Sequence, residues 1–269
     1  VAEARPFIKF AGGKTSLLPE ILPRLPKKIG TYYEPFIGGG AVFFALAAEG
    51  RFKEAVIGDA NHDLIETYYA IKNDLGEIVR RLKAHAGKHS EEYFYKVRAQ
   101  KGACDASRLI YLNRTCFNGL YRVNRKGEFN VPFGKYANPT ICDEENLRAV
   151  SAALRGVSFL PGDFERSTMR ARRGDVVYMD PPYVPASETA NFTAYTKGGF
   201  GPETQERLRD VAQKLVKRGV HVLLSNSDTP FVRKLYKGFK IEKVQAPRRV
   251  NSKGDKRGNV GELLISGKS

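Results

Sequence analysis

One stretch narrows the possible folds more than any other: TYYEPFIGGGAVFFALAAEGRFKEAVIGD, residues 31–59. Its opening, TYYEPF, is rich in aromatic and β-forming residues and predicts a strand. The glycine run Gly38–Gly40 follows, then AVFFALAAEG, an apolar helix closed by Gly50. EAVIGD predicts a second strand ending on Asp59. Strand, glycine turn, helix and strand make a β-α-β unit, and an acidic residue follows the glycines by about twenty positions. Gly38 and Gly40 match the first two glycines of a dinucleotide-binding turn, but Phe43 occupies the position of the third. Losing that close-approach glycine matters less for a ligand without a pyrophosphate. A carboxylate at the end of the second strand can still accept hydrogen bonds from both hydroxyls of a ribose.

A second glycine stretch, IKFAGGKTS (Ile8 to Ser16), imitates the end of a nucleotide-binding phosphate loop. Such a loop needs a glycine five positions before Gly13, where the backbone turns at positive φ, and this chain has Ile8 there. An ATPase or kinase is therefore set aside. Composition points to a different partner. The formal net charge of +16 favours a polyanion, either nucleic acid or an acidic membrane face. No apolar run approaches the roughly 20 residues of a membrane span, and the first residues lack a signal peptide's apolar core, so a soluble, cytoplasmic protein is expected. Cys104, Cys116 and Cys142 form no C-x-x-C pair, which argues against a disulfide framework or a zinc site. His85 and His89 share a helical spacing, yet their surroundings are polar and hold no third ligand. A solvated helix end is expected there, and no metal.

From Asn61 to about Leu154 helical patterns follow one another, interrupted by NGLYRVNRKGEFNVPFGKY, whose two short alternating runs around Lys126–Gly127 predict a β-hairpin. Strand signals then return in VSFLPGD, DVVYMD, HVLLSNSD, GFKIEKVQA and ELLIS, with PETQERLRDVAQKLVKRG an amphipathic helix among them. The expected architecture is an α/β domain of residues 1–60 and 145–269, interrupted by a mainly helical domain of residues 61–144 that carries the hairpin.

The strand DVVYM delivers Asp180, Pro181, Pro182 and Tyr183 to its carboxyl end, where open α/β sheets bind ligands. Standing alone, the tetrapeptide would be an ordinary turn. It also suits an exocyclic aromatic amine, whose lone pair is delocalised into the ring. The Asp180 carboxylate and the Pro181 carbonyl can hold both N–H bonds and favour a pyramidal nitrogen, with the prolines fixing the backbone. Tyr183 offers a stacking face for a base taken out of a duplex.

With these motifs in order, the chain resembles the Dam family of DNA adenine-N6 methyltransferases, in its α group. FIKFAGGK, EPFIGGG, the LNRTCFNGLYRVNRKGEFNVPFGKY hairpin, DPPY, ANFTAY and SNSDT are similar to that family's motifs from Pro6 to Ile265. The resemblance implies a Rossmann-like core that binds S-adenosyl-L-methionine (AdoMet), and double-stranded DNA as substrate. It implies that FAGGK is a lid over the cofactor's methionine end, with Phe10 standing where the family often has tryptophan, that Gly38 belongs to the cofactor-binding glycine turn, and that Lys14 serves the cofactor carboxylate or Glu34. Asp59 would hold the ribose by either argument, while Asp163 is a candidate for the cofactor's adenine or a simple strand-end turn. In the hairpin the resemblance makes Phe117 a wedge in the base stack and turns Asn118, Leu120 and Arg122 toward base edges. Lys9 would read or anchor an outer guanine. Arg114, Asn124, Asn130 and Lys135 would touch phosphates, and Tyr136 would join them or lie in the hairpin core. The implied target is GATC, the implied setting a bacterial or phage-type cytoplasm at the nucleoid, and the expected acting form a monomer.

Rival readings are weaker. Cytosine-C5 methylation needs a cysteine after a proline, and none of the three stands there. Cytosine-N4 enzymes usually carry serine in place of Asp180. A non-catalytic DNA-binding module would leave DPPY, Asp59 and FAGGK without a task. The segment from Phe231 to Ser269 holds eleven Lys or Arg against three Asp or Glu, and its loop PRRVNSKGDKRGNVG suits either a clamp on DNA phosphates or a solubilising tail.

Overall fold

The structure, a computed structural model, describes residues 3–10, 12–102, 105–124, 128–183, 200–245 and 261–267. The predicted strands all form: β1 (Thr31–Glu34), β2 (Glu54–Asp59), β3 (Val157–Pro161), β4 (Val176–Met179), β5 (His221–Ser227), β6 (Lys240–Val244) and β7 (Glu262–Gly267). They make one sheet in the order β3-β2-β1-β4-β5-β7-β6. All neighbours from β3 to β5 run parallel, and β7 runs antiparallel to both β5 and β6. β2 and β3 step outward on one side of β1, and β4 and β5 on the other. The switch of direction therefore falls between β1 and β4, the place where open α/β sheets form a ligand crevice.

The helices are α1 (Leu18–Ile21), α2 (Ala41–Ala48), α3 (His62–Asn73), α4 (Leu75–Gly87), α5 (Glu91–Arg98), α6 (Ala106–Thr115), α7 (Glu144–Ala153), α8 (Phe164–Thr168), α9 (Pro202–Lys217) and α10 (Pro230–Leu235). Alternation along the strands feeds two cores. Tyr32, Val176, Tyr178, Leu223 and Leu264 enter one, and their neighbours Tyr33, Val177, Val222, Leu224, Leu263 and Ile265 the other. The first core is continuous with the helical segment through Leu64, Tyr68, Leu109, Tyr111 and Leu147. The second is covered by α9, whose stripe of Leu208, Val211, Ala212 and Leu215 faces inward. No helix among the described residues is long and apolar enough to cross a membrane.

The first turn of the sheet is built by backbone. Gly40 sits at φ 74°, and a Cβ there would lie 2.7 Å from the Tyr68 hydroxyl, which donates to the Gly38 carbonyl at 3.0 Å. Only glycine fits both the turn and its neighbour.

The hairpin pairs through isolated bridges and not through a continuous ladder. Antiparallel bridges join Cys116 to Phe133 and Val123 to Phe129. Asn124 N–H donates to the Glu128 carbonyl at 2.9 Å, and Asn130 N–H to the Arg122 carbonyl at 3.0 Å. Its tip at Lys126–Gly127, the ANFTAY segment and the basic loop before Gly261 lie outside the described residues, as does Cys104. Cys116 and Cys142 are free thiols.

One expectation needs correcting. His85 and His89 do not occupy a solvated helix end. His85 Nδ1 lies 2.9 Å from the Tyr93 hydroxyl and His89 Nδ1 3.0 Å from that of Tyr111. The His85 ring also stacks on Tyr111 at 4.7 Å, and His89 packs against Phe133 of the hairpin at 5.6 Å. Aromatic residues distant in sequence (Tyr111 and Phe133) enclose what looked locally polar.

Candidate active site

Parallel strands end side by side, so the residues closing them form a row across the sheet. In spatial order β3, β2, β1 and β4 present Asp163, Asp59, Glu34 and Asp180. They line one cleft of about 1160 Å³ together with Phe10, Lys14, Gly38, Pro181, Pro182 and Tyr183. Every residue expected at the cofactor or at the chemistry is thus brought together. Lys9 and Arg114 reach the same cleft.

Asp59 closes β2 beside the glycine turn. Gly38 N–H donates to its Oδ2 at 3.1 Å and Asn61 N–H to its Oδ1 at 2.9 Å. Each oxygen keeps lone-pair capacity for another donor. Burial raises its pKa, partly offset by these backbone donors. Phe10 lies across the turn, with its ring against Gly38. Glu34 is buried, and burial pushes its pKa up to about 8 despite the hydrogen bond it accepts from Tyr32. That hydroxyl donates to Oε2 at 2.7 Å.

Asp180 follows β4 directly. Its Oδ2 lies 2.8 Å from Lys14 Nζ, whereas its Oδ1 is buried without a hydrogen bond among the described residues. Burial raises its pKa to about 6, with Lys14 and the Tyr183 hydroxyl pulling the other way and the Glu262 charge adding to the rise. A buried carboxylate oxygen lacking a donor is costly unless a ligand supplies one. The Pro182 carbonyl accepts from Gln205 Nε2 at 2.9 Å, and Gln205 Oε1 in turn accepts from Asn226 Nδ2 at 3.2 Å. The SNSD strand end thereby braces DPPY through α9. Of the two partners expected for Lys14, the cofactor carboxylate and Glu34, the second is not the one it pairs with. It pairs with Asp180 rather than Glu34, also approaches Glu262 at 3.6 Å and donates to the Gly12 carbonyl at 2.6 Å. Asp163 accepts one hydrogen bond on each oxygen. It caps α8 by accepting from Glu165 N–H at 2.9 Å and pairs with Arg207, as a strand-end turn would.

The hairpin residues stand apart from the cleft's lining. Phe117 is 51% exposed and Leu120 37%, large apolar side chains at the surface. Asn118 sits at φ 56° and Lys135 at φ 51°, a strained backbone for residues other than glycine. Arg122 Nε donates to Asn130 Oδ1 at 2.8 Å. Asn124 and Glu128 exchange hydrogen bonds at 2.8 and 3.1 Å near the tip. Lys9 Nζ lies 5.3 Å from the centre of the Tyr136 ring. Arg114 is more enclosed than a phosphate contact needs to be. Its Nε donates to the Phe7 carbonyl at 2.9 Å and burial lowers its pKa.

The sequence reading passes over three residues of this region. Gln205 could have been found as a polar residue inside the apolar stripe of α9. Asn113 is fully buried; its amide exchanges hydrogen bonds with the backbone of Lys9 at 2.8 Å and donates to the Gly119 carbonyl at 3.0 Å. Glu262 carried no local signal. Among the described residues no group of three or more His, Cys, Asp or Glu could hold a metal ion.

Comparison with known proteins agrees with this geometry. The model of a family described as D12 class N6 adenine-specific DNA methyltransferase matches residues 10–250. The type II methyltransferase M.MjaIII of Methanocaldococcus jannaschii is 46% identical, over 98% of this chain and 99% of its own. The type II methyltransferase M1.LlaDCHI of Lactococcus lactis subsp. cremoris is 43% identical, over 97% of this chain and 95% of its own. A DNA adenine methylase of Vibrio cholerae is 37% identical, again over 97% and 95%. By its motifs, its cleft at the switch point and these matches over nearly its whole length, the chain belongs to the D12 class of N6 adenine-specific DNA methyltransferases.

Proposed function

We propose that the protein methylates the N6 amino group of an adenine swung out of double-stranded DNA, using AdoMet, within the sequence GATC. The observation that carries this reading is the buried Oδ1 of Asp180 beside Tyr183, without a donor among the described residues, in a cleft that also contains Asp59. An amino group is what that oxygen lacks. The spare lone pairs on Asp59 fit ribose hydroxyls, and the ring of Phe10 over Gly38 fits a flat or apolar ligand surface.

When bound, AdoMet supplies an activated methyl group. Asp59 holds the ribose, Phe10 covers the cofactor, and Gly38 allows the close approach. Asp180 and the Pro181 carbonyl accept the two N–H bonds of the target amine and direct its lone pair outward. Because Gln205 fixes the Pro182 carbonyl, little backbone rearrangement is left for the transition state. Tyr183 stacks on the base. Unstacking a base costs a few kcal/mol, and Phe117, exposed at the hairpin, is suited to fill the gap left behind.

Residues 61–144 act as the target-recognition domain in this reading, and residues 1–60 and 145–269 as the catalytic domain. Asn118, Leu120 and Arg122 address base edges and Lys9 an outer guanine. Arg114, Asn124, Asn130, Lys135 and Tyr136 position the duplex. A single chain contains both cleft and hairpin, so it acts as a monomer. The test is to incubate unmethylated duplex DNA with the protein and AdoMet, then sequence the modified bases and digest to nucleosides. N6-methyladenine confined to GATC is expected. N4-methylcytosine, or no modification, overturns the reading.

A further inference from the structure

Reversal of β7 has a consequence at the cleft. A strand antiparallel to β5 starts where β5 ends, and Glu262 stands opposite Ser227 in the register. Glu262 therefore joins the carboxylates at the mouth of the parallel strands, although it lies 82 residues after Asp180 in sequence. Its Oε1 accepts a hydrogen bond from the Tyr183 hydroxyl and approaches Lys14 Nζ at 3.6 Å. Lys14 in turn lies 4.9 Å from the centre of the Tyr183 ring. The ring is thus held at its hydroxyl by one charge and at its face by the opposite charge.

Glu262 does not owe its place to a role in the sheet. The backbone of β7 pairs with β5 from Val222 to Ser227 and with β6 from Lys240 to Val244, and those ladders fix the strand whatever side chain begins it. Its carboxylate is 14% exposed and shares a single lysine with Asp180. Two carboxylates around one ammonium are electrostatically unfavourable in a desolvated site. Such an arrangement fits a task in the cleft better than a task in stability.

We propose that Glu262 is a positioning residue for methyl transfer, holding the Tyr183 ring by its hydroxyl and sharing Lys14 with Asp180. This rests on the reading that Tyr183 and Asp180 engage the target base. The aromatic face and the acceptor oxygen then stand in place before the base arrives, and the alignment is not left to the base itself.

The test measures single-turnover methylation by Glu262→Gln and Glu262→Ala. Gln keeps an acceptor for the hydroxyl and loses the charge, whereas Ala loses both. The expected slowing is about 3–10-fold for Gln and about 10–100-fold for Ala, within the range for lost alignment. Calorimetric affinity for AdoMet and KM for DNA should change less than about twofold, since the contact acts in the chemical step. A double-mutant cycle supplies the readout that a merely structural role would not move. Tyr183→Phe keeps the ring and loses the hydroxyl, so Glu262→Gln/Tyr183→Phe should be no slower than the worse single variant. Multiplying effects, or both Glu262 variants methylating within about twofold of wild type, overturn the proposal. If Glu262→Ala does not fold, Glu262→Gln and the cycle decide. Failure of the wild-type protein to methylate adenine is a separate result that overturns the underlying reading, and this inference with it.

Discussion

The cleft and the hairpin are held together by opposite means. At the cleft, functional groups close buried parallel strands and are pinned by hydrogen bonds: the backbone N–H groups of Gly38 and Asn61 on Asp59, and the Gln205 side-chain amide on the Pro182 carbonyl. At the hairpin, two isolated bridges and side-chain pairs such as Arg122–Asn130 do the holding, with Phe117 and Leu120 exposed. The contrast follows from the two tasks. A transition state rewards groups that need no reorganisation, while a DNA reader must adjust to a duplex it deforms. Damage at the cleft should therefore appear as lost rate or lost cofactor affinity, and damage at the hairpin as lost discrimination.

The largest effect expected is at Asp180. Asp180→Ala should slow methylation at least ~100-fold, the usual scale for a contact made in the transition state, while specific DNA binding persists. Single-turnover assays beside gel-shift binding check both. Wild-type kcat/KM should fall on the acid side with an apparent pKa near the value of about 6 that burial gives Asp180, because the ionised carboxylate is a far better acceptor than the protonated acid for the amino N–H that Pro181 does not take. Next in size is Asp59→Ala, expected to weaken AdoMet binding by ~10–100-fold as charge-assisted bonds to the ribose are lost. Calorimetry reads this directly. Unchanged affinity would move the ribose contact elsewhere and leave Asp59 as a brace for the glycine turn.

How much of this was legible in the sequence tracks the same contrast. The cleft was readable because each strand announces its own end: Asp59 follows EAVIG, and Asp180 follows DVVYM. Parallel strands then put those ends together without further instruction. Glu262 escaped because its place depends on β7 running backwards, a property of the whole sheet. That Lys14, expected at the cofactor carboxylate or at Glu34, pairs with Asp180 was hidden for a related reason. Choosing among Glu34, Asp180 and Glu262 takes distances that no local pattern encodes. Nothing in NGLYRVNRKGEFN says that Arg122 and Asn130 pair across the hairpin; the register of a loose ladder decides that. The His85 and His89 environment was misjudged because the aromatic residues enclosing it come from α5, α6 and the hairpin.

Smaller effects should arise at the hairpin. Arg122→Ala should lose roughly 1–3 kcal/mol of discrimination at one base pair of the site. Asn130→Ala should relax the same position less, because it removes the support of the arginine and not the reading group. Lys135→Ala should weaken binding to all sequences alike and lower the salt slope by about one unit. Methylation rates on the full site and every single-base variant, at two salt concentrations, separate the three. If Arg122→Ala slows all substrates by one factor, it is a phosphate contact, and the reader lies elsewhere in the hairpin.

The smallest effects expected are in stability against pH, and they have opposite signs in the two regions. Glu34 titrates near 8 in the folded protein against 4.5 in an unfolded chain. The folded state holds its proton more tightly, so this contribution is complete below 4.5 and is lost as pH rises toward 8. Burial lowers the pKa of His85, with Lys88 and Arg81 acting in the same direction and Asp105 against them; burial also lowers that of His89. The unfolded chain then binds protons more readily, and stability is lost as pH falls below the ordinary histidine value of 6.5. Glu34→Gln should flatten the decline on the alkaline side, and His85→Phe, which keeps the stack on Tyr111, should flatten the acid decline. Melting temperatures between pH 5 and 9 would show these as shifts of about 2 °C or more. Hydrogen exchange would locate them: acid should open α5, α6 and the base of the hairpin at Phe133 first, leaving β1 and β4 protected. Acid opening that begins at the cleft would reverse the comparison and make the hairpin the better anchored of the two.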